Sequence, residues 1–173
     1  MKIINSEIPE VLIFETDVYH DDRGYFTESY NQQRYSDLGF HHKFLQDNIV
    51  YSKKNVLRGL HFQINNQQGK LVQCLKGNIF DVAVDIRKDS DTFLKWVGVE
   101  LSSENNKQLY IPEGFAHGYC VLSESSFVSY KCTNIYDVNN ERGIIWNDQK
   151  INIKWPINNP ILSEKDKQLK VYE

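Results

Sequence analysis

Apolar and polar positions alternate over short stretches of this chain, and Gly, Asn, Asp and Pro separate the stretches. The clearest example is residues 78 to 86, where one face of a predicted strand is apolar and the other carries Asp81 and Asp85. Residues 76 to 78 predict a hairpin turn that joins this strand to one over residues 70 to 75. Such alternation, rich in aromatic and β-branched residues, is typical of an all-β sandwich or barrel.

Turn residues lie at the ends of further predicted strands, so that few segments of the chain are predicted to be helical. A helix is predicted over residues 31 to 38, closed by Gly39, and a shorter one over residues 163 to 167. So many strands in one domain imply a closed or nearly closed structure. The other predicted strands cover residues 11 to 19, 25 to 29, 44 to 52, 96 to 101, 108 to 111, 118 to 122 and 127 to 136.

With 173 residues the chain has the length of one domain that buries about two thirds of its unfolded surface. The pattern divides this single domain, residues 1 to 173, into three parts. Residues 1 to 45 predict an outer layer of strands, residues 46 to 140 the core of a barrel, and residues 141 to 173 a tail that wraps back over it.

Composition excludes several classes of protein. Hydrophobic residues make up 40%, charged residues 25% and the net charge is -3, which disfavours both a nucleic-acid binder and a disordered chain. The three cysteines lie in apolar, strand-like runs without a CxxC pair, which predicts buried, reduced thiols and a cytoplasmic location. No signal peptide and no long apolar segment indicates export or a membrane.

Two of the five histidines occur in unusual contexts. His117 ends a Pro-x-Gly-x-x-His turn, which resembles the second half of the cupin double motif, where the histidine points into the mouth of a small β-barrel. His61 stands alone, without the histidine and glutamate that complete a cupin metal site, so too few ligands remain to hold a divalent ion. The sequence therefore predicts a cupin pocket without a metal. The alternative is that both histidines form hydrogen bonds within a core.

A neutral histidine in a barrel mouth suits proton abstraction, because imidazole titrates near pH 6.5. Such a base needs a carboxylate on its other ring nitrogen to fix the tautomer. Spacing alone does not identify which Asp or Glu has this role.

Seven short motifs follow one another along the chain, namely DRGYFTES at 22 to 29, QDN at 46 to 48, VLRGLHFQ at 56 to 63, QGKLV at 68 to 72, FDVAVDIR at 80 to 87, IPEGFAHG at 111 to 118 and YKCTN at 130 to 134. In order and spacing they resemble the dTDP-4-dehydrorhamnose 3,5-epimerase family through nearly the whole chain. The resemblance implies a cupin-type antiparallel jelly roll and a cofactor-independent sugar-nucleotide epimerase.

The resemblance also implies the catalytic residues. His61 matches the family's base and Asp166 the acid that pairs with it. Tyr130 matches the residue that returns a proton to the opposite face of the sugar. Lys70 matches a cation beside the 4-keto oxygen, which would stabilise the enolate.

Further positions match residues that contact the sugar nucleotide. Taken singly, each has an ordinary alternative, since Arg23 fits a solvated turn, Lys70 a surface lysine and Tyr130 a core aromatic. Only their joint occurrence favours function. The implied substrate-binding residues are Arg23, Glu28, Gln46, Asp47, Asn48, Arg58, His117, Glu141 and Lys165.

Two departures from the family pattern leave the substrate open. Ile49 and Val50 replace a usual polar pair, and Cys132 and Ile135 stand where threonine and an aromatic are common. The nucleotide could be dTDP or GDP. The 4-keto sugar could be a hexose or a heptose, used in the synthesis of surface polysaccharides or deoxysugars. The enzyme could invert C3, C5 or both. A metal-free 3,4-ketoisomerase and a non-catalytic sugar-nucleotide-binding cupin are the alternatives. The family also implies a homodimer, whose N-terminal strand completes the partner's pocket.

Overall fold

Two antiparallel sheets face each other in the computed structural model, which describes residues 1 to 172. The six-stranded sheet has the order β1-β2-β10-β7-β12-β5, the five-stranded sheet has the order β13-β6-β11-β8-β9, and β3 and β4 form a separate hairpin. The strands are β1 (Lys2–Asn5), β2 (Leu12–Glu15), β3 (Val18–Asp21), β4 (Gly24–Thr27), β5 (Gln46–Lys53), β6 (Leu57–Gln63), β7 (Lys70–Lys76), β8 (Asn78–Asp85), β9 (Trp96–Ser102), β10 (Lys107–Ile111), β11 (Phe115–Val121), β12 (Ser125–Cys132) and β13 (Glu141–Gly143). The predicted all-β class is confirmed.

The turn predicted at residues 76 to 78 exists, but the hairpin pairing is wrong. Strand β7 pairs with β10 and β12, whereas β8 pairs with β11 and β9. Gly77 adopts φ +85°, and a side chain there would meet the carbonyl oxygen of Ser125 at 2.2 Å. The tight turn therefore passes the chain from one sheet to the other instead of joining two paired strands.

Other predicted strands differ in extent. The stretch over residues 11 to 19 is two strands, β2 and β3, separated where buried Thr16 donates its hydroxyl to the carbonyl of Asn106 at 3.1 Å. Strands β1, β6 and β13 were not predicted, and the sequence of β6 does not alternate because Gly59 interrupts it. His117 lies within β11, after the turn in which its motif placed it.

Both helices occur where the sequence predicts them. The first, α1 (Gln32–Asp37), begins after Asn31, whose side chain accepts hydrogen bonds from the backbone of Gln33 and Arg34. The second, α2 (Glu164–Lys167), is capped in the same way by Ser163. Each cap satisfies backbone donors that the first turn leaves free, a contribution of about 1 kcal/mol.

Three clusters of apolar side chains pack against the two sheets, one between them and one on each outer face. The space between the sheets is filled by side chains such as Val72, Ile79 and Val128. The tail covers the outer face of the five-stranded sheet with Ile144 and Ile151. Helix α1 and the segment after it cover the outer face of the six-stranded sheet. This burial on both faces explains why β11, in the middle of the five-stranded sheet, is buried at every position.

The three cysteines, Cys74, Cys120 and Cys132, are buried and free, as predicted. The predicted tail ends at Glu173, which lies outside the described residues. Neither helix in the described part of the chain has the length and apolar content needed to cross a bilayer.

Candidate active site

Two adjoining cavities open at one end of the barrel. The outer has a volume of about 330 Å³ and the inner about 280 Å³. Four side chains line both cavities, namely His61, Lys70, Tyr130 and Lys165. Three of the four predicted catalytic residues therefore lie at the boundary between the two cavities, and the fourth, Asp166, lines the inner cavity.

His61 on β6 pairs with Asp166 on α2, across 105 residues of sequence. The distance between His61 Nε2 and Asp166 Oδ1 is 2.6 Å, and Asp166 is only 4% exposed. Burial is the largest single influence on Asp166 and raises its pKa, but the hydrogen bond and charge interaction with His61, together with hydrogen bonds from Ser163 and Gly59, outweigh it, so the pKa of Asp166 lies below its usual value. Nε2 therefore donates to a carboxylate. His61 Nδ1 lies 3.9 Å from Glu141 Oε1, too far for a hydrogen bond, and remains free to accept a proton.

Close backbone contacts bring these elements together. Gly59 and Gly118 allow β6 and β11 to approach, since a side chain on Gly59 would meet the carbonyl oxygen of His117 at 2.5 Å. The register between the two strands shifts at this point, and His117 lies directly opposite His61. On the other side, Gly143 leaves room for Leu169, which packs the tail that carries Asp166 against β13.

Lys70 begins β7 and extends into both cavities. Its Nζ lies 6.0 Å from the centre of the Tyr130 ring. Burial lowers the pKa of Lys70, and the neighbouring Cys132, Asp81 and Glu141 oppose that shift. The charged form of Lys70 thus lies in a desolvated place, where it interacts strongly with any nearby negative charge.

Tyr130 on β12 presents its phenol to the same cavities. Burial raises the pKa of Tyr130 to about 12. The phenol is therefore protonated at neutral pH and can donate a proton or a hydrogen bond. Its hydroxyl has no hydrogen-bond partner among residues 1 to 172.

The remaining predicted binding residues divide into two groups. Gln46, Asn48 and Glu141 line the outer cavity, and Arg58 and His117 line the inner one. Glu141 binds the Lys165 ammonium, which fixes both at the cavity mouth.

Three predicted binding residues lie away from both cavities in this chain. Arg23 is on the β3–β4 turn, where its 89% exposed side chain pairs with Asp21 at 2.5 Å. Glu28 pairs with Arg34, and Asp47 pairs with Lys131.

Several lining residues were not among the predicted site residues. Gln63, Gln68 and Val50 lie inside or next to the motifs that match the family, and this position in the sequence could have identified them. Tyr136 lies at the mouth of the outer cavity and donates its hydroxyl to Glu141 at 2.7 Å. No sequence signal distinguished it from the other nine tyrosines.

Asp81 was also not predicted as part of the site. It is fully buried on β8, and its Oδ1 accepts a hydrogen bond from His117 Nε2 at 2.7 Å. The available signal was a carboxylate within an otherwise apolar strand.

Proteins that are similar to this chain in sequence and in fold are sugar-nucleotide epimerases. The family model described as dTDP-4-dehydrorhamnose 3,5-epimerase matches residues 5 to 173. A Shigella flexneri protein of that name is 57% identical over 168 residues, which cover 96% of this chain and 93% of that protein.

Two solved structures extend the likeness to the fold. The Legionella pneumophila 3,5-epimerase, in complex with dTDP-4-keto-L-rhamnose, has a TM-score of 0.95 and 49% identity, covering 98% of this chain and 92% of its own. The Bacillus anthracis enzyme, with TDP and PPi bound, has a TM-score of 0.96 and 45% identity, covering 99% of each chain. The cupin-type jelly roll and the epimerase activity predicted from the sequence are confirmed, and the chain belongs to the dTDP-4-dehydrorhamnose 3,5-epimerase family.

Proposed function

We propose that the protein inverts both C3 and C5 of a dTDP-linked 4-keto-6-deoxy sugar, with His61 as base and Tyr130 as acid. One observation carries this proposal: the His61–Asp166 pair, the Lys70 ammonium and the Tyr130 phenol border the same pair of cavities. The relatives supply the substrate class, since their names are those of enzymes of dTDP sugars, and the two solved structures hold dTDP-4-keto-L-rhamnose in one case and TDP with PPi in the other.

The base is His61, acting through Nδ1. Asp166 holds the opposite nitrogen and stabilises the imidazolium that forms when a proton is taken from the carbon next to the ketone. Because Asp166 holds Nε2, only Nδ1 is free to take the proton, and this defines one direction of attack.

Lys70 stabilises the enolate. Removing a proton beside the 4-keto group places negative charge on the keto oxygen, and an ammonium already fixed in the cavity lowers the energy of that state. The scheme needs no redox cofactor, because removing and returning a proton leaves the oxidation state of the sugar unchanged, and it needs no metal, because the ammonium supplies the positive charge.

Tyr130 returns the proton from the other face of the ring. Its pKa of about 12 keeps the phenol protonated. After each inversion the Tyr130 phenolate takes a proton from solvent and the His61 imidazolium releases one, so the proton count balances. Delivery to the face opposite His61 inverts the carbon, and repeating the steps at the second carbon inverts both.

The nucleotide has cationic and aromatic partners in the cavities. Arg58 and Lys165 provide positive charge for a diphosphate. The Tyr136 ring, partly exposed at the outer mouth, offers a surface for the base, while Gln46 and Asn48 provide amide donors and acceptors.

We also propose a homodimer in the cytoplasm. The β3–β4 hairpin stands apart from both main sheets and exposes Tyr19 and Phe26, which are 58% and 67% accessible. Seated on a second copy, this hairpin would bring Arg23 to the partner's pocket and bury its aromatic rings. Sedimentation velocity should give twice the monomer mass, and a monomer would contradict the arrangement.

Solvent exchange tests the reaction directly. The protein is incubated in deuterated water with dTDP-4-keto-6-deoxyglucose, and the products are followed by NMR. Deuterium should enter C3 and C5 with inverted configuration, and His61→Asn should abolish the exchange. No exchange in the wild-type protein would indicate a binding protein, and a carbonyl moved to C3 would indicate a ketoisomerase.

The nucleotide is tested with a matched substrate. GDP-linked 4-keto sugars should exchange far more slowly than dTDP-linked ones at equal concentration. Equal or faster exchange with a GDP-linked 4-keto heptose would overturn the substrate proposed here.

A further inference from the structure

Asp81 is a buried carboxylate for which the proposed mechanism has no use. It is 0% exposed and lies inside the barrel on β8. Its Oδ1 accepts a hydrogen bond from His117, but Oδ2 has no hydrogen-bond partner in the described residues. Buried carboxylate oxygens are normally satisfied, because the loss of hydration is otherwise uncompensated. An orphaned oxygen at this position therefore requires an explanation.

His117 does not cancel the charge of Asp81. Burial lowers the pKa of His117, and although Asp81 opposes this shift, the pKa stays below its usual value. The imidazole is therefore neutral at neutral pH and donates a hydrogen bond from Nε2 without adding positive charge. The ring also lines the inner cavity beside His61, so Asp81 fixes a side chain that faces the reaction.

Lys70, in turn, lacks a carboxylate partner within residues 1 to 172. No carboxylate forms an ion pair with its ammonium anywhere in residues 1 to 172, although the side chain is partly buried. Two carboxylates lie close enough to raise its pKa, Asp81 and Glu141. Glu141 is already bound to Lys165 and to the Tyr136 hydroxyl. Asp81 is the nearby carboxylate that has no Lys or Arg partner in the described part of the chain.

We propose that Asp81 is a positioning residue of the active site, whose carboxylate fixes the His117 ring and holds the Lys70 ammonium charged beside the substrate's keto oxygen. The inference rests on the proposed function, because it assigns Asp81 to the support of the enolate cation. Each charge makes the burial of the other less costly.

The surrounding titratable groups do not replace this interaction. Burial raises the pKa of the thiols and phenols near the two charges, so these groups are neutral at neutral pH. They are Cys74 on β7, Tyr119 and Cys120 on β11, and Tyr130 and Cys132 on β12. His61 and Lys165 share the cavities with Lys70, and each has its own carboxylate partner.

The test measures the charge state of Lys70 separately from turnover. Lysine side chains of the full-length protein are labelled with ¹³C, and the Lys70 signal is assigned by its absence in Lys70→Met. Asp81→Asn keeps the shape and a hydrogen-bond acceptor for His117 but removes the charge. The Lys70 pKa should fall by about one pH unit, as expected when one nearby opposite charge is lost.

Turnover should report the same change. Because the reaction needs Lys70 protonated, kcat/KM falls as pH rises through its pKa. In Asp81→Asn this alkaline limb should move to lower pH by the same amount. Asp148→Asn is the control, since Asp148 is also buried but accepts only backbone hydrogen bonds outside the cavities. Both measurements should be unchanged in the control.

The possible outcomes separate the two proposals. If the Lys70 pKa and the alkaline limb are the same in Asp81→Asn as in the wild-type protein, Asp81 has only a structural role and the inference is wrong. If the Lys70 pKa falls but the wild-type protein exchanges no deuterium, the charge coupling holds and the proposed function fails. If Asp81→Asn does not fold, adding Lys70→Met should restore folding, and failure to do so would overturn the coupling.

Discussion

Replacing Tyr130 with phenylalanine separates the two proton transfers of the proposed reaction. The ring remains to fill its place in β12, and only the hydroxyl is lost. No hydrogen bond within residues 1 to 172 involves that hydroxyl, so nothing in the fold depends on it. The free energy of unfolding should therefore change by less than about 0.5 kcal/mol.

The effect on inversion should be large. With a pKa of about 12, the phenol is protonated across the physiological range and is a ready donor. Losing a positioned general acid typically costs about 10²- to 10⁴-fold in rate. That factor corresponds to roughly 3 to 5 kcal/mol in the activation barrier. Inversion should fall by this amount.

Exchange should survive in the same variant. His61, Asp166 and Lys70 remain, so the substrate still loses a proton and His61 can return a deuteron to the same face. NMR in deuterated water should therefore detect label at C3 or C5 in product of unchanged configuration. Tyr30→Phe is the matched control, because Tyr30 is also a partly buried phenol whose hydroxyl has no partner within residues 1 to 172, but it lies outside the cavities. Undiminished inversion in Tyr130→Phe, or loss of exchange together with inversion, would refute the assignment.

Three further predictions follow from other contacts. Asp166→Asn should lower kcat about 10²- to 10⁴-fold with little change in KM, because the base loses its orienting carboxylate, and an unchanged kcat in steady-state assays would contradict the pairing. Asp85 accepts hydrogen bonds from Arg87, Ser90 and Thr92, which hold its pKa well below the usual range despite burial. Because the folded-state pKa is depressed, this stabilisation is present above the ordinary carboxyl pKa of about 4 and is lost as pH falls towards the folded-state value. Urea unfolding should give Asp85→Asn a lower free energy of unfolding than the wild-type protein at pH 7, and this free energy should fall less in acid than that of the wild-type protein. If Asp85→Asn is as stable as the wild-type protein at pH 7, the Asp85 contacts do not stabilise the fold. Dialysis against a chelator should leave turnover unchanged, whereas a loss reversed by a divalent ion would indicate a metal site.

The sequence predicted local features well where local rules apply. The alternation of β8, the turn at Gly77 and the positions of both helices are set by backbone geometry and by side chains a few residues away. The sequence did not predict that β7 and β8 enter different sheets. A tight turn is compatible with either arrangement, and the choice depends on which distant strands offer partners.

For the site, the motifs identified the residue types and the fold determined how they meet. His61 and Tyr130 were predicted from motif resemblance, and the partner of His61 was implied by the family rather than by spacing. The contact between Asp81 and His117 was not predicted, because it joins two strands of the barrel across 36 residues.

What the sequence determined by itself was an all-β chain with two short helices, buried thiols and a set of reactive residues in the order of one enzyme family. Periodicity and turn preferences act over a few residues, so the sequence alone shows them. The tertiary structure alone decided that His61, Lys70 and Tyr130 share a cavity, that Asp81 is buried beneath it, and that the β3–β4 hairpin carries Arg23 away. These arrangements result from burying apolar surface over the whole chain at once, which no local stretch of sequence specifies.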